Sequence, residues 1–87
     1  MLLKGEISVI VKLKLFAASR EIAGSGETLE SLPDAATLRD LRDKLFAAYP
    51  DLGNLRVQFA VNRAYVSLDT VLEDGDEVAC IPPVGGG

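Results

Sequence analysis

Thr37-Leu38-Arg39-Asp40-Leu41-Arg42-Asp43-Lys44-Leu45-Phe46-Ala47-Ala48 is the stretch from which the fold is read. Thr37 suits an N-cap, because its hydroxyl accepts from an amide N–H that a helix start leaves unpaired, and Asp40 three residues on makes a capping-box-like pair. Leu38, Leu41, Leu45 and Ala48 recur at i, i+3, i+7 and i+10 and form one apolar stripe, with Arg39, Asp40, Arg42, Asp43 and Lys44 opposite. Pro50 biases Tyr49 away from helical angles, so the helix is predicted to stop near Ala48. A helix with one apolar stripe has one face to bury, and one face of one sheet is the simplest cover for it.

Upstream, Ile7, Val9, Val11, Leu13 and Leu15 alternate with Ser8, Ile10, Lys12, Lys14 and Phe16. This predicts a long strand with a buried odd face and a mixed even face. Phe16 to Gly24 reads as one or two helical turns closed by Gly24, Ser25-Gly26 as a turn, and Glu27–Leu32 as a weaker strand stopped by Pro33-Asp34. Downstream of a loop at Asp51-Leu52-Gly53-Asn54, alternation resumes at Val57, Phe59 and Val61. Asn62-Arg63 reads as a turn, Ala64-Tyr65-Val66 as a short strand, and Leu68 to Leu72 as connecting structure. Asp74-Gly75 is a strong turn signal, and Glu77-Val78-Ala79-Cys80-Ile81 is the last strand, ended by Pro82-Pro83. The order predicts an α+β fold of the β-grasp arrangement: a mixed sheet of four or five strands on one main helix. The domain is expected over residues 7–81, with an N-terminal extension at 1–6 and an extended tail at 82–87.

Composition narrows the function. Eighty-seven residues, 48% hydrophobic and 25% charged, make one small globular domain. A net charge of −4 makes nucleic acid a poor partner, and no apolar run is long enough for a membrane span. The start Met1-Leu2-Leu3-Lys4-Gly5-Glu6 has no signal-peptide pattern, so a cytoplasmic setting is expected. There is no histidine and one cysteine, Cys80, so neither a Ser-His-Asp nor a Cys-His mechanism can be assembled from this chain, nor an internal disulfide or a multi-thiolate metal site.

The tail Pro82-Pro83-Val84-Gly85-Gly86-Gly87 carries the remaining chemical interest. Two prolines favour an extended path, and glycines fit where any side chain would clash. Its last five residues reach at most about 17 Å, and they end in a free carboxylate. Adenylation by ATP would turn that carboxylate into a mixed anhydride. Attack by a sulfur donor would then leave a thiocarboxylate, whose sulfur is the better nucleophile.

Phe16-Ala17-Ala18-Ser19-Arg20-Glu21, Val61-Asn62, Leu72-Glu73-Asp74-Gly75-Asp76-Glu77-Val78-Ala79 and the end Ile81-Pro82-Pro83-Val84-Gly85-Gly86-Gly87 resemble the small subunits of molybdopterin synthases. The resemblance runs from about Ile7 to Gly87; Gly85 departs from it, where Ser or Ala is commoner. It implies a ubiquitin-like β-grasp fold and a carrier with no active site of its own and no bound cofactor. An E1-like adenylyltransferase would use ATP to activate the Gly87 carboxylate, and a sulfur donor would convert it to a thiocarboxylate. The tail, from Pro82 and Pro83 through Val84, Gly85 and Gly86, would then enter the large synthase subunit in a heterotetramer of two small and two large subunits. Sulfur would pass there to cyclic pyranopterin monophosphate, two carriers per dithiolene. The basic side chains that hold the pterin phosphate would belong to the large subunit.

Strand phase adds a docking face. If Val78 and Cys80 face the helix, Ile81 faces outward, beside Phe16 if the first and last strands are neighbours, with Tyr65 joining from the edge. An exposed apolar cluster at the root of the tail is where a partner should dock, and the resemblance points to the same three positions. Arg20 and Glu21 read as structural, Lys12 and Lys14 as a solvated strand face, Cys80 as a small packed hydrophobe, and Gly24-Ser25-Gly26 as too little for a nucleotide fingerprint. Asp74, Asp76 and Glu77 read as a turn and not a metal site. Two further functions fit the same tail: a sulfur carrier for the thiazole of thiamine, and a ubiquitin-like modifier joined to lysines through Gly87.

Overall fold

A computed structural model describes residues 8–83. Its elements are β1 (Ser8–Leu15), α1 (Ala17–Ala23), β2 (Glu27–Pro33), α2 (Leu38–Ala48), β3 (Gln58–Val61), β4 (Ala64–Tyr65) and β5 (Glu77–Ile81). The five strands form one mixed sheet in the order β2-β1-β5-β3-β4. β1 and β5 are parallel and every other pair is antiparallel. This is the β-grasp arrangement, with α2 as its main helix.

The periodicities place the core. The odd residues Val9, Val11, Leu13 and Leu15 of β1 are buried, as are Val78 and Cys80 of β5, and Leu38, Leu41 and Leu45 of α2 join them in one cluster. Thr37 and Asp40 form the expected box: the Thr37 hydroxyl accepts from Asp40 N–H at 3.3 Å, and the Asp40 carboxylate accepts from Thr37 N–H at 2.9 Å. Two further N–H groups of the first turn, on Leu38 and Arg39, donate to the carbonyls of Thr70 and Leu68, both at 2.9 Å. The stretch from Leu68 to Leu72 therefore caps α2 through its backbone as well as connecting β4 to β5.

Four local expectations are corrected. Ala48 is exposed, because the stripe drifts around the helix, and Phe46 instead packs on the core with its ring centroid 6.5 Å from that of Phe59. The segment expected as a loop at Asp51–Asn54 is a 3₁₀ turn, Pro50–Asn54, that drives Leu52 completely into the core. β2 runs on through Pro33, which an edge strand tolerates because the missing N–H is not needed on its open side. β4 ends at Tyr65, leaving Val66 outside the strand. The extension expected at residues 1–6 lies outside the described residues.

Leu41 has no exposed surface, and truncating it leaves a cavity the small core cannot close. Leu41→Ala is expected to lower the unfolding free energy by about 2–5 kcal/mol in a urea titration. A loss well under 1 kcal/mol would contradict the packing described here.

Candidate functional site

The parallel pairing of β1 with β5 brings the beginning and the end of the fold together at the centre of the sheet. α2 covers one face; the other is open. Alternation along β5 turns Val78 and Cys80 to the core and Glu77, Ala79 and Ile81 to the open face. Phe16 follows β1 and keeps extended angles, φ −121° and ψ 151°, so its ring stands on the same side at 47% exposure. Tyr65 arrives from β4, opposite Ala60, at 66% exposure. Phe16, Tyr65 and Ile81 line a single shallow hollow of about 340 Å³.

Ala60 and Ala79 pair in register between these three, and their short side chains leave the depression. In the sequence they are legible only as outward alanines on two strands whose adjacency is not stated. Lys14, Arg63 and Glu77 complete the rim, with Lys14 Nζ 3.4 Å from Glu77 Oε1. A second hollow adjoins the first through Tyr65 and Ile81 and is lined also by Arg56, Gln58, Pro82 and Pro83. Pro82 is buried and Pro83 exposed, so the chain leaves the fold at the edge of the apolar patch. Val84, Gly85, Gly86 and Gly87 lie outside the described residues.

Ser19 is not singled out by the sequence reading, yet it holds the site together. It is fully buried. Its Oγ accepts from Phe16 N–H at 3.1 Å and donates to the Phe16 carbonyl at 2.6 Å, with the Cys80 carbonyl 3.4 Å from the same oxygen. One hydroxyl thus ties the end of β1 to the end of β5 and fixes the direction of Phe16. Ala17 next to it takes a left-handed φ of 51°, a strained choice for a residue with a Cβ, which swings the chain abruptly from β1 into α1. Gly24, at φ 76°, ends α1 with its N–H donating to the Arg20 carbonyl, and Glu21 is exposed. A serine three residues after the aromatic residue that follows the strand is the signal available in the sequence.

Burial pushes the Cys80 thiol above its ordinary pKa, with the Ser19 hydroxyl opposing in part. The acidic turn has a structural occupation. Asp74 Oδ1 accepts from Ile10 N–H at 2.8 Å, and Asp76 accepts from Glu73 N–H at 2.8 Å and from the Asn62 side-chain amide at 2.9 Å. These carboxylates stitch the start of β5 to β1 and to the β3–β4 hairpin. The chain has no histidine and its one thiol is buried; on the open sheet face the described residues present an exposed apolar hollow.

The family model described as the ThiS family matches residues 13–87. The chain belongs to the ThiS family, and within it to the molybdopterin synthase sulfur carrier subunits. It is 43% identical to the molybdopterin synthase sulfur carrier subunit of Chlamydomonas reinhardtii, over 88% of this chain and 98% of that one. For the subunit of the same name in Escherichia coli the identity is 41%, over 90% and 100%. Among solved structures, a putative molybdopterin converting factor subunit 1 from Pyrococcus furiosus superposes with a TM-score of 0.84 at 38% identity, covering 88% of this chain and all of that one. Small archaeal modifier protein 1 of Haloferax volcanii gives 0.78 at 29%, covering 87% and 99%. A chain from the complex of subunits 1 and 2 of the Helicobacter pylori molybdopterin-converting factor gives 0.65 at 26%, covering 91% and 100%.

Two measurements follow from the Ser19–Cys80 contact. Ser19→Ala removes the hydroxyl bonded to both backbone groups of Phe16, while the Phe16 N–H keeps the Cys80 carbonyl at 3.4 Å, and is expected to cost about 0.5–1.5 kcal/mol of stability. The raised thiol pKa fixes a sign in pH. Stability is undiminished well below the unfolded thiol's pKa of about 8.5 and falls as pH rises through it, because the unfolded chain ionises first. Cys80→Ala should remove that alkaline component from denaturation curves taken at stepped pH; an unchanged alkaline slope would contradict the assignment.

Proposed function

We propose that this chain is the sulfur carrier of a molybdopterin synthase, working in the cytoplasm. The Gly87 carboxylate is activated by an E1-like adenylyltransferase as an acyl-adenylate, at the expense of ATP, and a sulfur donor displaces AMP to give the thiocarboxylate. The charged chain docks on the large synthase subunit through Phe16, Tyr65 and Ile81. The tail from Pro82 to Gly87 carries the sulfur into the partner, where it is passed to cyclic pyranopterin monophosphate. Each carrier delivers one sulfur, so two are consumed for each dithiolene.

One observation carries this reading: the chain leaves the fold beside an exposed apolar hollow in a protein whose relatives are named as carrier subunits. The geometry supports a body that acts as a handle, with the chemistry at the end of the arm. In Helicobacter pylori, subunit 1 of the molybdopterin-converting factor forms a complex with subunit 2, which supports the large subunit as the partner here. The prolines at the root, one buried and one exposed, favour an arm that departs stiffly from the patch.

The likeness to small archaeal modifier protein 1 supports a second use of the same terminus, an isopeptide bond from Gly87 to lysines of other proteins. Conjugates of high molecular weight that vanish on deletion of Gly87 would establish it. A thiazole product in place of molybdopterin would be revealed by a different large subunit co-purifying with the chain.

Incubation with the adenylyltransferase, ATP and a sulfur donor is expected to raise the intact mass by about 16 Da, the exchange of one oxygen for sulfur. Deletion of Gly87 is expected to abolish charging while leaving the circular dichroism spectrum unchanged. An unchanged mass, under conditions that charge the Escherichia coli relative, would overturn the proposal.

A further inference from the structure

The chain carries a net charge of −4, yet the two adjoining hollows are rimmed by Lys14, Arg56 and Arg63 against one carboxylate, Glu77. Lys14 already engages that carboxylate at 3.4 Å. On the helix side the cations are paired: Arg39 with Asp69, Arg42 with Asp43, and Lys44 with Glu30. Arg56 and Arg63 are both exposed and have no ion-pair partner among the described residues. Of the other described cations without such a partner, Lys12 stands on the same sheet face, and Arg20 lies on α1.

Arg63 is also strained. Asn62 and Arg63 are the two central residues of the β3–β4 hairpin, with φ values of 49° and 71°. A two-residue hairpin of this kind favours Asn-Gly, because glycine takes the left-handed second position without a steric penalty. Arginine there costs stability, and its guanidinium makes no ion pair within the described residues that would compensate. Strain held at the lip of a docking hollow is strain held for something outside the chain.

We infer that Arg56 and Arg63 form a cationic rim that reads carboxylates on the docking partner, so that the large-subunit surface receiving Phe16, Tyr65 and Ile81 is acidic around an apolar centre. This rests on the function proposed above and adds the chemistry of the partner's face. An acidic protein approaching an acidic surface is repelled in most orientations. The rim makes the open sheet face the one orientation that is attracted, which steers encounter and sets the register in which the tail arrives. The apolar centre then holds the complex together.

Association with the purified large subunit, followed by stopped-flow at a series of sodium chloride concentrations, tests this. The R56E/R63E double variant is expected to associate about tenfold more slowly at low salt, with dissociation little changed and a flatter salt dependence. Lys44→Glu, the same change of charge on the helix side, should associate at the wild-type rate. Arg63→Gly separates recognition from folding: its melting temperature should rise as the strain is relieved, while its association slows. A double variant that binds at the wild-type rate with the wild-type salt slope, or faster, overturns the inference while leaving the carrier function standing. A wild-type chain that does not bind the large subunit at all overturns both.

Discussion

The parallel contact between β1 and β5 is the constraint on which the rest of the molecule depends. It places the first strand and the last side by side in the middle of the sheet, so the residue that leaves β1 and the residue that ends β5 become neighbours. Phe16 and Ile81 are brought together by this pairing and by nothing local. Ser19 closes the contact from within, with one buried hydroxyl bonded to the Phe16 backbone and close to the Cys80 carbonyl. Because α2 covers only one face, the outward residues of both strands stay uncovered, and the chain exits beside them. An apolar hollow beside the end of β5 is therefore a consequence of topology.

The division of labour follows. Helix and core hold the shape; in the function proposed above, the open face meets the partner and the terminus performs the chemistry. The chain has no histidine, and its single thiol is packed away with its pKa raised by burial. Its acidic turn serves the fold, since Asp74 and Asp76 spend their carboxylates on backbone and amide hydrogen bonds between strands. Beside the hollow, Arg56 and Arg63 are left without an ion-pair partner among the described residues.

Most of the fold was legible because each element states its own period. The odd residues of β1, the leucines of α2 and the alternation of β5 read correctly, since burial on one side leaves a pattern at 2 or 3.6 residues. Leu52 was not legible: a single leucine in Pro-Asp-Leu-Gly-Asn looks like a turn, and only the 3₁₀ geometry sends it inward. Ala48 looked apolar and periodic, but it is exposed at the end of α2, where Phe46 packs on the core instead. At the candidate site, Phe16, Tyr65 and Ile81 could be grouped from strand phase plus one guess about which strands touch. Ser19, Ala60, Ala79, Arg56 and Arg63 could not, because their roles come from contacts across strands that sequence spacing does not encode.

The central claim is that the open sheet face at the end of β5 is the handle, with the helix turned away from the partner. Cross-saturation NMR of the isotope-labelled chain bound to its large subunit tests this directly. Saturation transfer is expected at Phe16, Tyr65, Ile81 and the residues that follow, with none along the solvent side of α2. Transfer concentrated on Arg39, Asp43 and Lys44, with Phe16 and Ile81 silent, would contradict it.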